Sequence, residues 1–240
     1  MDEIVDTRYQ KIRRNKEELI EHLNTFSLEI KPSVGIWYFT PVGGRFHDSF
    51  VPFKSIAEKI EMAAEMAKYG VKAIEAHYPV EVNEENYYLY QQLEKETGIK
   101  PKQGCTLLGM QPEIGHIRMG FEDAPYAFCR AMRQGRLFHT HWNSQPLGNY
   151  DQDLNIGVVE WQQAEAALYA LKMHGYKEYY GVDINPERMP AERAVELNCL
   201  ALNIMNDRIN SLPHEEIIES YFDPENHRGD IELILTKTMK

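Results

Sequence analysis

The chain has 240 residues and a formal net charge of −11, from 26 Lys plus Arg against 37 Asp plus Glu. That length can bury about 70–75% of the unfolded surface around one core, so a single main domain is expected. The acidic balance argues against nucleic-acid phosphates or an anionic membrane as the main partner, and no apolar run reaches the ~18–20 residues of a membrane helix.

The first residues, "MDEIVDTRYQKIRRNKEELIEHL", contain no apolar stretch of the kind a secretory signal needs. Cys105, Cys129 and Cys199 are far apart and show no C-x-x-C spacing. They read as reduced packing thiols, so a soluble cytoplasmic metabolic enzyme is expected.

In chain order, residues 7–24 predict an amphipathic helix with Ile12, Leu19, Ile20 and Leu23 on one stripe. "SVGIWYF" (33–39) predicts a strand, followed by a long Gly- and Pro-rich loop over 40–53. Ser55 and Glu58 form a capping-box pattern before a helix that stops at Gly70. "VKAIEAH" predicts a strand ending in His77, and a helix over about 83–97 stops at Gly98. A strand at 105–111 leads into "QPEIGH", and a helix follows near 123–134. Further strands are expected at 136–143 and 178–184, with helices at 158–174 and 190–209. Alternating strands and helices predict an α/β fold with a parallel sheet, and ligands are expected at the carboxyl ends of its strands. The count is five strands where a closed (β/α)₈ barrel has eight. Residues 211–240 read as a C-terminal arm on a domain covering 1–210.

The segment "RLFHTHWNSQPLGNYDQDLNIG" (136–157) concentrates the chemistry. His139, His141, Asn143 and Gln145 alternate, so a strand places them in one polar row, which must be bonded if it is buried. Asp151 and Asp153 follow, two apart, and repel unless a cation joins them. Glu113 and His116 in "PEIGH" could face the same ion, or lie on a solvent-facing loop. Asp183 could be a ligand or a turn residue, and His77 a catalytic or a structural histidine. Trp37, Trp142 and Trp161 could line a sugar site or fill a core. Carboxylates with one or two imidazoles favour Mg²⁺ or Mn²⁺, with Co²⁺ as a substitute; zinc more often recruits thiolates or three imidazoles.

From "PEIGH" through "LFHTHWN" to "YDQDL" the chain resembles the metal-dependent xylose isomerases, which carry Pro-Glu-x-Gly-His, Leu-Phe-His-x-Asp-x-Asn and Tyr-Asp-Gln-Asp-Leu in the same order. The resemblance runs over about 104–210, and "VGIWYF" and "AIEAH" fit the family's first two strands. It implies a TIM-barrel-like sugar isomerase with two divalent metals, converting an aldose to a ketose by a hydride shift. A homo-oligomer is expected on a different ground, to cover the sheet edges left where the strand count falls short of a closed barrel. It implies Glu113 as the bridge between the metals. His116, Asp151 and Asp153 then complete the catalytic metal, and Asp183 lies at the structural one. His77 and Asp153 are implied as catalytic, and Trp37, His77 and Asn143 as sugar contacts.

Two departures stand out. His141 occupies the place of the family's Asp, where it could still bind a metal. The Glu-Pro-Lys-Pro segment, which supplies a structural-metal ligand and a substrate-contacting Lys, is missing. The chain therefore reads as a shortened barrel, lacking roughly three units of the eight-unit pattern. Alternatives are another sugar isomerase or epimerase, or a non-catalytic metal- or sugar-binding remnant.

Overall fold

A computed structural model describes residues 14–35, 55–75, 95–97, 100–102, 110–185 and 189–223, and the single positions 225, 232 and 236. The first described helix, α1 (Lys16–Thr25), starts at Lys16, and residues 7–13 of the helix expected over 7–24 lie outside the described residues. Asn15 caps it, accepting from the Glu18 N–H while Glu18 bonds back to the Asn15 N–H. The same reciprocal cap from Ser55 and Glu58 opens α2 (Ile56–Lys68).

Among the described residues five short strands form one parallel sheet: β1 (Pro32–Gly35), β2 (Ala73–Glu75), β3 (Lys100–Lys102), β4 (Thr140–Trp142) and β5 (Tyr180–Val182). Their order is β3-β2-β1-β5-β4. Beyond β4, parallel bridges from Met110 to Leu137 and from Glu113 to His141 add the segment 110–113 as a further neighbour. The first strand thus lies beside the last, and the strands progress in opposite directions from that pair. This order is compatible with a TIM-barrel-like wall, although the described strands do not close a ring.

Of the expected strand at 105–111 only Met110 and Gln111 fall among the described residues, and Met110 bridges to Leu137; 103–109 lie outside them. β3 was not expected, because Pro101 lacks an N–H and argues against a central strand. It is tolerated here at the end of the described sheet. The tails of the expected strands at 33–39 and 71–77, including Trp37 and His77, lie outside the described residues, as does most of the 83–97 helix.

The other helices are α3 (Ile114–Met119), α4 (Ala124–Arg133), α5 (Trp161–His174), α6 (Ala191–Asn210) and α7 (His214–Phe222). α3 corrects the expectation of a loop after "PE". α5 begins at Trp161 rather than 158 because Glu160 is left-handed at φ 55°. One core cluster joins α3 to α6 through Phe128, Leu168, Leu171 and Leu202, and takes in Trp142 and Tyr180 from the sheet. A second joins α2 and α6 to Val34, Ile74 and Val182. These helices hold one face of the sheet and leave the strand ends to carry polar groups.

Candidate metal centre

The period-two alternation of β4 sends Trp142 into the helix-side core, where it meets Phe128 edge-on at 5.7 Å and donates its Nε1–H to Thr140 Oγ1. Trp142 is therefore a core residue rather than a sugar-stacking one. The alternate residues His139, His141, Asn143 and Gln145 are all buried. Such a row requires partners, and each of the last three has a distinct set.

Gln145 shapes the loop. Its Nε2 donates to the carbonyls of Asn149 at 3.0 Å and Tyr150 at 3.2 Å, and its Oε1 accepts from the Gln152 N–H at 2.8 Å. Ser144 and Leu154 then pair antiparallel, returning the chain toward the sheet. Asn198 of α6 accepts from the Ile156 N–H at 2.6 Å and donates to Asn155 Oδ1 at 2.8 Å. Between these anchors stand Asp151 and Asp153, the latter in the left-handed region at φ 44°. Such a conformation in a residue other than glycine is held by its surroundings, here including the Asn185 N–H on its carbonyl at 2.7 Å.

Asn143 ties the loop to α3. Its Nδ2 donates to Glu113 Oε1 and to Asp153 Oδ1, both at 2.8 Å, and its Oδ1 accepts from the Gly115 N–H at 2.7 Å. Gly115 permits the approach, since a Cβ there would lie 2.8 Å from Asn143 Oδ1. On its far side α3 is fixed by Arg118, whose Nε lies 2.5 Å from Glu160 Oε2 and whose Nη2 donates to Oε1 at 2.6 Å.

Two sets of ligand atoms result, each within 4.8 Å: Glu113, His141 and Asp183, and Glu113, His116 and Asp151. Glu113 belongs to both. His141 Nδ1 lies 2.8 Å from Asp183 Oδ2 and 3.6 Å from Glu113 Oε2, and His116 Nε2 lies 3.4 Å from Glu113 Oε2. The His141 side chain is 3% exposed and that of His116 57%, so the His141 corner is closed and the His116 corner open. Asp153 joins neither set but adjoins both through Asn143.

The electrostatics fit a cation. The Asp153 carboxyl is pushed up to about 8, first by burial and then by the charges of Asp183, Glu113 and Asp151. Asp151 Oδ1 is buried with no hydrogen-bond partner among the described residues. Crowded carboxylates, an unsatisfied buried oxygen and two imidazoles form a donor set suited to divalent ions.

Of the residues expected from sequence, Glu113, His116, His141, Asp151, Asp153, Asp183 and Asn143 converge here. Trp37 and His77 lie outside the described residues. Sequence reasoning missed Gly115, Gln111, Asn198 and the Arg118–Glu160 pair. Only Gly115, inside "PEIGH", carried a local signal. The others are joined by contacts between distant segments.

Fold and site together define an α/β protein with a candidate divalent-metal centre at the carboxyl ends of a parallel sheet. No family model matches the chain. It is 34% identical over 82 residues to xylose isomerase from Streptomyces lividans, a match covering 34% of this chain and 21% of that enzyme. The similarity thus spans about a fifth of the relative's length.

Proposed function

We propose that the chain is a metal-dependent sugar isomerase of the xylose isomerase kind, interconverting an aldose and a ketose by a hydride shift. The observation that carries this reading is Glu113, shared by two sets of ligand atoms in a segment of the sheet whose neighbours supply the rest. The partial similarity to xylose isomerase supports the same chemistry.

In this reading Glu113 would be shared between two divalent ions of the Mg²⁺, Mn²⁺ or Co²⁺ type. His116, Asp151 and Asp153 would help hold the catalytic one, and His141 and Asp183 the structural one. When bound, the ions act as Lewis acids on the sugar's oxygens. The residues supply orientation: Asn143 fixes the carboxylates of Glu113 and Asp153, Gln145 and Asn198 hold the aspartate loop, and α3 presents His116 at the open side. His77 is assigned to opening the sugar ring, and Trp37 to lining the substrate. Asn143 is the third assigned sugar contact, although the amide bonds above make it chiefly a positioning residue. We also take the chain to self-associate.

The test is ketose formation from pentoses and hexoses with Mn²⁺ or Co²⁺. Product with either ion supports the reading, and none with any dication defeats it. One observation favours a second reading, a cation-binding remnant. Only residues 103–109 separate β3 from the 110–113 segment, leaving no room for the Glu-Pro-Lys-Pro ligands. Calorimetry separates the two: Mn²⁺ binding without xylitol binding selects the remnant.

A further inference from the structure

We propose that His141 makes both metal positions imidazole–carboxylate sites and thereby commits the centre to a pair of transition-metal dications in preference to magnesium. The inference rests on the metal-dependent reading above and narrows it to one class of ion.

The two sets of ligand atoms have the same composition. Glu113–His141–Asp183 and Glu113–His116–Asp151 each offer one imidazole nitrogen and two carboxylate oxygens, with Glu113 in common. A site built on the family's pattern has oxygen alone where His141 stands, and so distinguishes a hard position from a softer one. Here the positions are alike. Magnesium prefers oxygen ligands in near-ideal octahedra and gives up its water reluctantly. Imidazole nitrogen shifts preference along the series from manganese through iron and cobalt.

Burial sharpens the effect at His141. The residue is 2% exposed, so water has little room to replace the missing oxygen ligand. Its ring is held from two directions. Nδ1 lies 2.8 Å from Asp183 Oδ2, and the Gln111 amide nitrogen lies 2.8 Å from Nε2. The same Gln111 nitrogen lies 3.1 Å from Nδ1, so the amide packs against the imidazole on the side of both ring nitrogens and holds it beside Asp183 and Glu113. Charge agrees with two ions: the carboxylates of Glu113, Asp151, Asp153 and Asp183 match two dications without excess.

The experiment is equilibrium dialysis of the chelator-stripped full chain against Mn²⁺, with and without about a hundred-fold excess of Mg²⁺, followed by metal analysis. Wild type is expected to keep two Mn²⁺ per chain under the excess. The His141→Asp variant should fall toward one, as its oxygen-only corner passes to Mg²⁺. Co²⁺ gives an independent readout: its visible absorption in wild type should report nitrogen ligation at two ions, and in the variant at one. Displacement of Mn²⁺ by Mg²⁺ from wild type as readily as from the variant overturns the proposal. If the variant does not fold, the wild-type competition decides by itself, because release of both Mn²⁺ ions is equally fatal. The assay uses no sugar, so selectivity without ketose formation would refute the isomerase reading alone. Isomerase activity sustained by Mg²⁺, with Mn²⁺ displaced, would refute this proposal alone. A chain that binds no Mn²⁺ overturns both.

Discussion

At the scale of single residues, the candidate centre depends on one amide. Asn143 donates to two carboxylates and accepts from the backbone of α3, so its neighbours can move only together. Gly115→Ala would put a methyl group 2.8 Å from that amide oxygen, inside a buried contact that cannot yield cheaply. The variant should lose about 1–3 kcal/mol of stability in urea melts, together with most of its Mn²⁺ affinity; unchanged melts would show the contact to be slack. Asp153 gives a pH prediction. Its folded pKa of about 8 lies above the ordinary carboxylate range, so the fold holds a proton that the unfolded chain releases. Its cost to stability is therefore absent below about pH 4 and complete above pH 8. Metal-free protein should melt lower as pH rises from 6.5 to 8, and Asp153→Asn or added Mn²⁺ should flatten that slope. A slope unaffected by either would place the titration elsewhere. The polar row was legible in the sequence because a strand alternates strictly. The partners of Asn143 were not, since Glu113 and Gly115 lie about thirty positions away, at no period of a helix or strand.

At the scale of elements, α1 and α7 are held to α5 by polar contacts. The Lys172 ammonium donates to the Phe26 carbonyl at 2.5 Å and to Asn210 Oδ1 at 2.8 Å, and His22 Nε2 lies 2.9 Å from the Lys172 carbonyl. Arg14 donates to the Met173 carbonyl at 2.9 Å, and Lys16 pairs with Glu219 of α7. Lys172→Met keeps the buried stem and removes the donors, so it should cost about 1–3 kcal/mol and speed hydrogen exchange in α1 before the sheet. Exchange rising equally everywhere would contradict this local docking. His214, against Tyr169 of α5 at 3.1 Å, is pushed down to about 4, first by burial and then by the Lys172 charge. Its depressed pKa means that the stability it contributes is complete above about pH 6.5 and is lost as pH falls toward 4. Exchange in α7 should quicken over that interval, and His214→Gln should remove the dependence. Helices were legible where caps announced them, as at Ser55 and Gly175. α3 was not, being six residues long with Gly115 in its first turn; its packing under Asn143 outweighs that weak propensity. β3 was hidden by Pro101, a residue that an end strand accepts and a central one does not.

At the scale of the whole molecule, the strand order decides what the surface must do. From β3 through β1 to the 110–113 segment, the described strands run in one parallel series whose two ends meet no further described strand. Parallel strands are ordinarily covered on their faces and paired at their edges, because unpaired backbone groups attract other chains. The loops that carry the aspartates also expose Leu147, Tyr150 and Val158, with Met189 beside them at Asn155. Exposed apolar side chains on one loop are suited to contact with another molecule. If that molecule is a second copy, the centre and the assembly are linked, since Tyr150 adjoins Asp151 in a loop anchored by Gln145. Sedimentation equilibrium should then show a dimer or larger species. Replacing Leu147 and Tyr150 by Ser should shift it toward monomer and lower Mn²⁺ affinity several-fold, with the helical circular dichroism retained. A cooperatively folding wild-type monomer would remove self-association from the account, and the sheet ends would then have to be covered from within the chain.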